Sequence, residues 1–294
     1  MKCAYPITKR RTVNGVSFLY QHRCGQCMPC RIYKRSEWTG RMILESRLWP
    51  YSTFVTLTYA QMPENNSLQP EDVTLWLKKV RKKLPQFRYF LVGEYGEKHG
   101  RPHYHLIMFN VQANFETEKI IKETWGHGFI QIKPADHKNI QYTARYVIKK
   151  LTKPDQFPEG VHPEYARQSR MPGLGHGAAI KLVESYMKKG LLPADSTDNQ
   201  QKIRLCTDGN FRYNKRMYPL SSYISEKILD ELDKRYPDAE TTDIRKAIRS
   251  DAKIRQQWKD KSPEELDHEQ TQANKKSQAK YLSEKKRNQA NSPF

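Results

Sequence analysis

The segment from residue 54 to residue 152 alternates between strand-like and helix-like patterns, and this alternation restricts the fold more than any other feature. Runs rich in β-branched and aromatic residues are separated by segments whose apolar residues recur every three to four positions. The predicted order is strand 54–59, helix 70–84, strand 87–95, strand 103–109, helix 115–125, strand 128–133 and helix 138–152. A βαββαβ order followed by a helix favours an α+β fold with an antiparallel or mixed sheet and helices on one face, the ferredoxin/RRM-like arrangement.

The composition changes on both sides of this segment and predicts four regions. Residues 1–50 form a cysteine-rich basic appendage, and residues 51–153 form the core. Residues 154–224, where proline and glycine are frequent, form a C-terminal extension that packs on the core. Residues 225–294 are highly charged with few apolar anchors and predict a helical or disordered tail.

The charge balance indicates the class of partner. The chain has 294 residues with Lys+Arg 52 and Asp+Glu 32, a formal net charge of +20. Such an excess favours binding to a polyanion such as nucleic acid. The sequence contains no apolar run of about 18 residues or more, so no membrane partner is expected. The first residues do not have the pattern of a secretory signal, and we expect a cytoplasmic protein.

Two histidines in the third predicted strand are candidate metal ligands. His103 and His105 are separated by one residue and therefore lie on the same face of a strand. Glu94 ends the preceding strand, and the intervening turn would bring it opposite His103, while Glu97 is a competing carboxylate in that turn. One carboxylate and two imidazoles suit Mg²⁺ or Mn²⁺ and leave positions for a phosphate oxygen and water. Two surface histidines without a metal are the alternative.

The last helix of the core has two chemically different faces. Tyr142, Tyr146 and Lys149 share one face. The opposite face is apolar and predicts the packing side: Ile140, Ala144, Val147, Ile148 and Leu151. The tyrosines are therefore expected to lie away from the packing side, as surface residues or as nucleophiles. A phenol attacks poorly at neutral pH, and Lys149, close to Tyr146, is suited to stabilising the phenolate or a phosphate.

A cysteine run near the N-terminus indicates a second metal site. Cys24, Cys27 and Cys30 follow a C-x2-C-x2-C spacing, and Cys3 or His22 is available as a fourth ligand. In a reducing compartment such a run favours metal ligation over disulfides. We expect a structural zinc ion, with free thiols and an iron–sulfur cluster as alternatives.

Basic stretches at 31–47 and 78–83 predict contacts with the DNA backbone, although solvated charge is the other interpretation. The residues predicted to bind DNA are Lys78, Lys79, Arg81, Lys82, Lys83, Arg101, Arg145 and Lys150.

Three of these elements together resemble motifs I, II and III of the HUH endonucleases. They are the Thr-rich strand at 54–58, His103-Tyr104-His105, and Tyr142-x3-Tyr146-x2-Lys149. With Gly93-Glu94-Tyr95-Gly96 and the stretch 169–175, the two-tyrosine form is similar to the replication initiators of microviruses, the gokushovirus-like single-stranded DNA bacteriophages. The resemblance spans roughly residues 20–220. It departs at Tyr104, where the family has a bulky hydrophobic residue, so the Tyr104 hydroxyl needs a partner.

The resemblance implies a metal-dependent nickase that forms a 5′-phosphotyrosine and starts rolling-circle replication. Its metal ligands would be His103, His105 and Glu94, and its nucleophiles Tyr142 and Tyr146, with Tyr146 attacking first. Its partners would be single-stranded and nicked circular DNA at the origin, and the replication helicase and polymerase of an infected bacterium. A non-catalytic RRM-like nucleic-acid-binding module, a plasmid or transposon HUH relaxase and a zinc-finger regulator are the alternatives.

Overall fold

The computed structural model describes residues 3–13, 16–96, 99–149, 157–192 and 203–248, without the side chains of residues 9–21 and 147–149. The strands are β1 Ile7–Val13, β2 Val16–His22, β3 Ser52–Thr58, β4 Arg88–Tyr95, β5 Pro102–Phe109, β6 Ile130–Pro134, β7 Tyr165–Gln168, β8 Arg204–Leu205, β9 Asn210–Tyr213 and β10 Arg216–Pro219. The helices are α1 Met28–Ser46, α2 Pro70–Arg81, α3 Phe115–Trp125, α4 His137–Lys149, α5 His176–Lys189, α6 Ser222–Arg235 and α7 Thr242–Ile248.

A five-stranded antiparallel sheet in the order β6-β3-β5-β4-β7 forms the centre of the protein. The α+β class is therefore confirmed, and each predicted element of the core is present within a few residues of its expected bounds. Two smaller antiparallel sheets, β1-β2 and β10-β9-β8, lie outside it. The predicted extension of α4 to residue 152 and the tail from residue 249 onward lie outside the described residues.

Helices cover both faces of the central sheet, so the expectation of helices on one face was wrong. Helices α2 and α3 pack on the face that includes Leu57 and Leu106. Helices α1, α4, α5 and α6 pack on the opposite face, which includes Phe54, Val92 and Ile107. A strand with both faces buried is apolar throughout, and its sequence therefore does not indicate how many helical layers cover it.

Local signals explain where the helices of the first layer begin and end. Helix α2 starts with Pro70 in its first turn, followed by Glu71 and Asp72, whose charges favour a helix N-terminus. Helix α3 is capped by Asn114, whose side chain accepts a hydrogen bond from the Thr117 backbone N–H. It ends at Gly126, which has the left-handed φ of 66° that a glycine adopts without strain.

Helix α1 belongs to the same core as the sheet. Its residues Met42, Ile43 and Leu44 are buried in the cluster that contains Ile140 and Ala144 of α4. The region boundaries at residues 50, 153 and 224 stay predictions, but the packing joins the first region to the second.

Buried Glu45 of α1 adds polar contacts to this packing. Its carboxylate lies 2.8 Å from Nε of Arg88 on β4 and accepts hydrogen bonds from Trp49 and from the Gly175 backbone. Three segments that are distant in sequence therefore meet at one buried charge.

Several elements had no counterpart in the sequence analysis. They are the hairpin β1-β2, the edge strand β7, helix α5 and the small sheet β8 to β10. Within the described ranges, no helix combines the length and the apolar character that crossing a membrane requires.

Candidate metal centre and tyrosine pair

The hairpin of β4 and β5 brings Glu94 and the two histidines together. The register places Glu94 directly opposite His103, and His105 opposite Val92, so all three side chains point to the same face. Oε1 of Glu94 lies 2.9 Å from Nε2 of His103 and 3.0 Å from Nε2 of His105. The three ligand atoms lie within 4.8 Å of one another. Glu97, the competing carboxylate, lies outside the described residues.

The hydrogen bond of His103 on its other nitrogen fixes the position of a proton. Nδ1 of His103 lies 3.0 Å from the carbonyl oxygen of Arg101. A carbonyl only accepts hydrogen bonds, so Nδ1 carries the proton, and in the neutral ring Nε2 is an acceptor. Nε2 then faces the Glu94 oxygen, which is also an acceptor. Two acceptors this close repel unless a proton or a cation lies between them.

His105 is the deepest of the three groups. Its Nδ1 lies 3.0 Å from the hydroxyl of Thr56 on β3. Its Nε2 is buried and has no well-aligned hydrogen bond among the described residues, although Glu94 is close. Burial lowers the pKa of His105, so the ring is neutral at neutral pH, which is the form that binds metals.

The Glu94 carboxylate is almost fully buried, with 2 % of its surface exposed. Burial alone would raise its pKa, but hydrogen bonds with His103 and His105 outweigh burial and lower the pKa. The group is therefore ionised. An ionised carboxylate and two imidazoles, with one nitrogen lacking a good partner, fit a divalent cation such as Mg²⁺ or Mn²⁺.

Tyr142 and Tyr146 of α4 lie directly beside this centre. The ring centroids of Tyr142 and Tyr146 are 5.3 Å and 6.0 Å from that of His105. The Tyr146 hydroxyl donates a hydrogen bond of 2.6 Å to the Tyr142 hydroxyl. The expectation that these tyrosines lie away from the packing side was wrong, because both rings are half-buried against the sheet. Helix α4 lies between α1 and the sheet, and both of its faces are therefore covered.

The environment of Tyr146 favours its neutral form. Burial raises the pKa of the Tyr146 phenol, and the negative charge of Glu94 raises it further. Arg145 acts in the opposite direction, and its guanidinium lies 5.8 Å from the Tyr142 ring centroid. A positive charge at the metal centre would offset the effect of Glu94. The side chain of Lys149 and all of Lys150 lie outside the described residues.

The edge strand next to the site carries residues that the sequence analysis did not select. The Thr58 backbone N–H donates to the Phe129 carbonyl, which places Phe129 opposite Thr58 and, by alternation, on the face of His103. Phe129 is 76 % exposed. Nζ of Lys133 lies 5.1 Å from the ring centroid of Phe54, which stacks on His105. An exposed aromatic ring and an ammonium group next to the centre could have been suspected from the alternation of 129, 131 and 133.

The basic run of α2 lies on the other side of the sheet. Helix α2 packs on the face opposite to that of His103, and Lys83 lies 3.3 Å from Glu123. This run therefore does not border the metal centre, and its role in DNA binding stays a prediction. Arg101 donates a hydrogen bond of 2.9 Å to the Tyr59 carbonyl, which ties the turn before β5 to the end of β3.

Tyr104 lies between the two histidines but points to the other face, where it is fully buried. Its hydroxyl accepts a hydrogen bond of 2.7 Å from the Gln69 backbone N–H and donates one of 3.0 Å to the Gln69 carbonyl. The hydroxyl thus has the partner that a buried tyrosine requires.

The cysteine run forms a compact group with Cys3. The Sγ atoms of Cys3, Cys24, Cys27 and Cys30 lie within 4.8 Å of one another, and all are free thiols. Of the two fourth ligands considered, Cys3 is the one in this group. Burial raises the pKa of Cys24, but hydrogen bonds from the backbone of Cys27 and Gln26 outweigh it, and the pKa is about 7.

The comparisons with known proteins agree with these features. Residues 52–153 match the family model of the ORF2-type replication-associated proteins. The chain is 33 % identical over 177 residues to replication-associated protein ORF2 of Spiroplasma virus 4, which covers 51 % of this chain and 55 % of the relative. It is 28 % identical over 186 residues to replication-associated protein VP4 of Bdellovibrio phage phiMH2K, which covers 55 % of this chain and 58 % of the relative.

These matches limit what can be transferred from the relatives. The chain matches about half the length of each of these two proteins. No solved structure matches the chain. The segment that matches the family contains Glu94, both histidines and both tyrosines. The resemblance to the microvirus replication initiators is thus confirmed, and the chain is a relative of the phage replication-associated proteins, with residues 52–153 matching their ORF2-type family.

Proposed function

We propose that the protein initiates rolling-circle replication by nicking single-stranded DNA at the origin of a circular genome through a tyrosine nucleophile. One observation carries this proposal. Two tyrosine hydroxyls that share a hydrogen bond lie next to His105, whose buried Nε2 faces the Glu94 carboxylate. This combination places a nucleophile beside a group of metal ligands. The order β6-β3-β5-β4 of the core strands supports the ferredoxin/RRM-like arrangement expected of such a nuclease.

Glu94, His103 and His105 would hold the divalent cation, which when bound polarises the phosphate and stabilises the charge that develops on it. The protein's own groups prepare the site for it. The Arg101 carbonyl and the Thr56 hydroxyl fix the ring orientations of His103 and His105. Such outer contacts orient ligands and strengthen metal binding.

The chemical step exchanges one phosphoester bond for another. The oxygen of one tyrosine attacks phosphorus, the bond from phosphorus to the 3′-oxygen breaks, and a 5′-phosphotyrosine forms. The proton of the phenol leaves through the neighbouring hydroxyl or water and ends on the 3′-oxygen. The new ester retains the energy of the old one, so the reverse reaction can join strands without ATP.

The second tyrosine allows the cycle to close. After one round of synthesis it cleaves the regenerated origin, and the new 3′-hydroxyl attacks the first phosphotyrosine. The hydrogen bond of 2.6 Å between the hydroxyls offers a direct route for proton exchange. We propose that Tyr146 attacks first and that Lys149 stabilises the charge. In the cell the partners would be origin DNA and the replication helicase and polymerase of the infected bacterium, in its cytoplasm.

The test is formation of a covalent adduct. The protein is incubated with labelled single-stranded oligonucleotides that tile the DNA carrying its gene, with Mn²⁺ or with a chelator. A denaturing gel should show a shifted band with Mn²⁺ alone, and mass spectrometry should place the nucleotide on Tyr142 or Tyr146. The double variant Tyr142→Phe/Tyr146→Phe should form no adduct, whereas the control Tyr51→Phe should form it normally.

Two outcomes would overturn the proposal. Adduct formation by the double variant would exclude these nucleophiles. Retention of DNA without any adduct under all metal conditions would favour a binding module that lacks catalysis.

A further inference from the structure

The four clustered cysteines lie apart from the metal centre of the sheet and have no part in the proposed chemistry. We propose that Cys3, Cys24, Cys27 and Cys30 hold a structural zinc ion that fixes the β1-β2 hairpin to the start of α1. This proposal does not depend on the proposed nuclease function.

The distances between the sulfurs match those around one tetrahedral ion. Sγ of Cys3 lies 3.8 Å from that of Cys27, and Sγ of Cys24 lies 4.0 Å from that of Cys30. With zinc–sulfur bonds of about 2.3 Å, tetrahedral geometry separates the ligand sulfurs by about 3.8 Å. A disulfide would require a sulfur–sulfur distance of about 2.05 Å. The group is therefore too open for disulfides and has the size of a single bound ion.

Backbone hydrogen bonds point at the sulfurs, as thiolate ligands require. The N–H of Ala4 donates to Cys27, that of Cys24 donates to Cys3, and that of Cys27 donates to Cys24, at 3.2 to 3.4 Å. Donors of this kind stabilise a thiolate and orient it toward a metal. Cys3 and Cys30 are 4 % and 3 % exposed. Thiolates buried together would repel one another without a cation between them.

The start of α1 adds a further favourable term. Cys27 is the N-cap residue of α1, and Cys30 lies in its first turn, where backbone N–H groups and the helix dipole favour negative charge. No acidic side chain occupies that turn. The thiolates would therefore supply the negative charge at this helix terminus.

Four thiolates in this geometry select the kind of metal. Soft sulfur ligands in a tetrahedral set suit zinc, whereas Mg²⁺ and Mn²⁺ prefer oxygen. An iron–sulfur cluster also uses four cysteines, but its irons and sulfides lie between the ligands and hold them farther apart. The close spacing of these sulfurs therefore favours a single zinc ion.

The positions of the ligands define what the ion would connect. Cys3 precedes β1, Cys24 follows β2, and Cys27 and Cys30 lie at the start of α1. One ion would therefore join both ends of the hairpin to the helix that packs on α4. The hairpin sequence includes Lys9, Arg10 and Arg11, so the ion would hold a basic segment at a fixed position relative to the core.

The experiment measures metal in the full chain, purified without chelator. Because the Glu94 centre could also take up zinc, the measurement uses the wild type and the variant His103→Ala. We expect the variant to retain about one equivalent of zinc. Exchange for Co²⁺ should produce the intense charge-transfer absorption of thiolate ligands. Absence of zinc, presence of iron in its place, or a Co²⁺ spectrum without thiolate bands would each overturn the proposal.

Cysteine variants locate the site. Cys24→Ser and, separately, Cys27→Ser in the His103→Ala background should reduce zinc from about one equivalent to near zero. The matched control is Cys206→Ser, since Cys206 is buried elsewhere, next to Met217. That control should keep its zinc, and loss of zinc in it, or retention in both test variants, would contradict the assignment. The wild-type spectrum decides the question even if a test variant does not fold.

Discussion

Glu94 and His103 lie directly opposite each other on neighbouring antiparallel strands, with 2.9 Å between Oε1 of the carboxylate and Nε2 of the ring. Because the other nitrogen of His103 donates to a carbonyl, this pair faces each other as two acceptors in the neutral ring. The pair is therefore the part of the structure most sensitive to the presence of a cation.

Replacing the carboxylate should weaken metal binding while the fold is kept. Glu94→Gln has nearly the same shape but no charge, and we expect Mn²⁺ affinity to fall by more than the roughly 10- to 100-fold that loss of an outer contact causes. Titration calorimetry with Mn²⁺ measures the change. The matched control is Glu118→Gln on α3, an exposed residue in the layer on the other face of the sheet. Equal affinity in Glu94→Gln and wild type would remove Glu94 from the ligand set.

The hydroxyl that orients His105 should have a smaller effect. Thr56→Val preserves the shape of the side chain but removes the contact of 3.0 Å to Nδ1, so we expect about 10-fold weaker Mn²⁺ binding. Thr58→Val is the control on the same strand and face, because its hydroxyl donates to the Phe129 carbonyl instead. If both variants bind Mn²⁺ equally, the orientation of His105 does not depend on Thr56.

Phe129 should contribute to binding of single-stranded DNA. An exposed aromatic ring beside the site can stack on a base, and loss of one stacked base weakens binding by roughly 5- to 100-fold. Fluorescence anisotropy with a labelled single strand, in chelator, measures the affinity of Phe129→Ala without metal effects. Phe115→Ala is the control, since Phe115 is 83 % exposed but belongs to α3 on the other side of the sheet. Similar losses in both variants would argue against a specific role for Phe129.

Acid should destabilise the protein partly through His137, whose Nε2 lies 2.6 Å from the Tyr218 hydroxyl. Burial lowers the pKa of His137, and Arg216 lowers it further. The unfolded state therefore takes up a proton near pH 6.5 before the folded state does. Stability from this group is present above about pH 6.5 and falls as the pH decreases below it.

The comparison of thermal unfolding at about pH 7.5 and about pH 5.5 isolates this contribution. His137→Gln should lose less stability on acidification than the wild type, although His105 adds a similar dependence to both proteins. Parallel losses in the two proteins would show that His137 does not couple to folding.

The parts of the site that sequence could predict are those fixed by short-range geometry. The turn between β4 and β5 is short, so the register that places Glu94 opposite His103 follows from the hairpin itself. The helical spacing of Tyr142 and Tyr146 likewise places the two rings together. Periodicity shows that the two faces of α4 differ, but it does not show that a second helix covers the apolar one.

Other features depend on contacts between segments far apart in the chain. Strand β7 has four residues in a proline-containing region, and only its pairing with β4 defines it. Helix α5 follows Gly173 and Gly175, and these glycines suggested a loop although Ala178, Leu182 and Val183 recur at helical spacing. The position of Cys3 beside Cys27 requires the hairpin to fold back, which no local pattern predicts.

The packing of α1 on α4 has a practical consequence for work on the isolated central segment. A protein cut back to residues 52–153 would keep every proposed metal ligand and both tyrosines, yet it would lose the layer that covers Ile140 and Ala144. The uncovered side of α4 would then be a hydrophobic surface in water, prone to self-association. The smallest autonomous folding unit of this core therefore begins upstream of the segment that sequence comparison delimits.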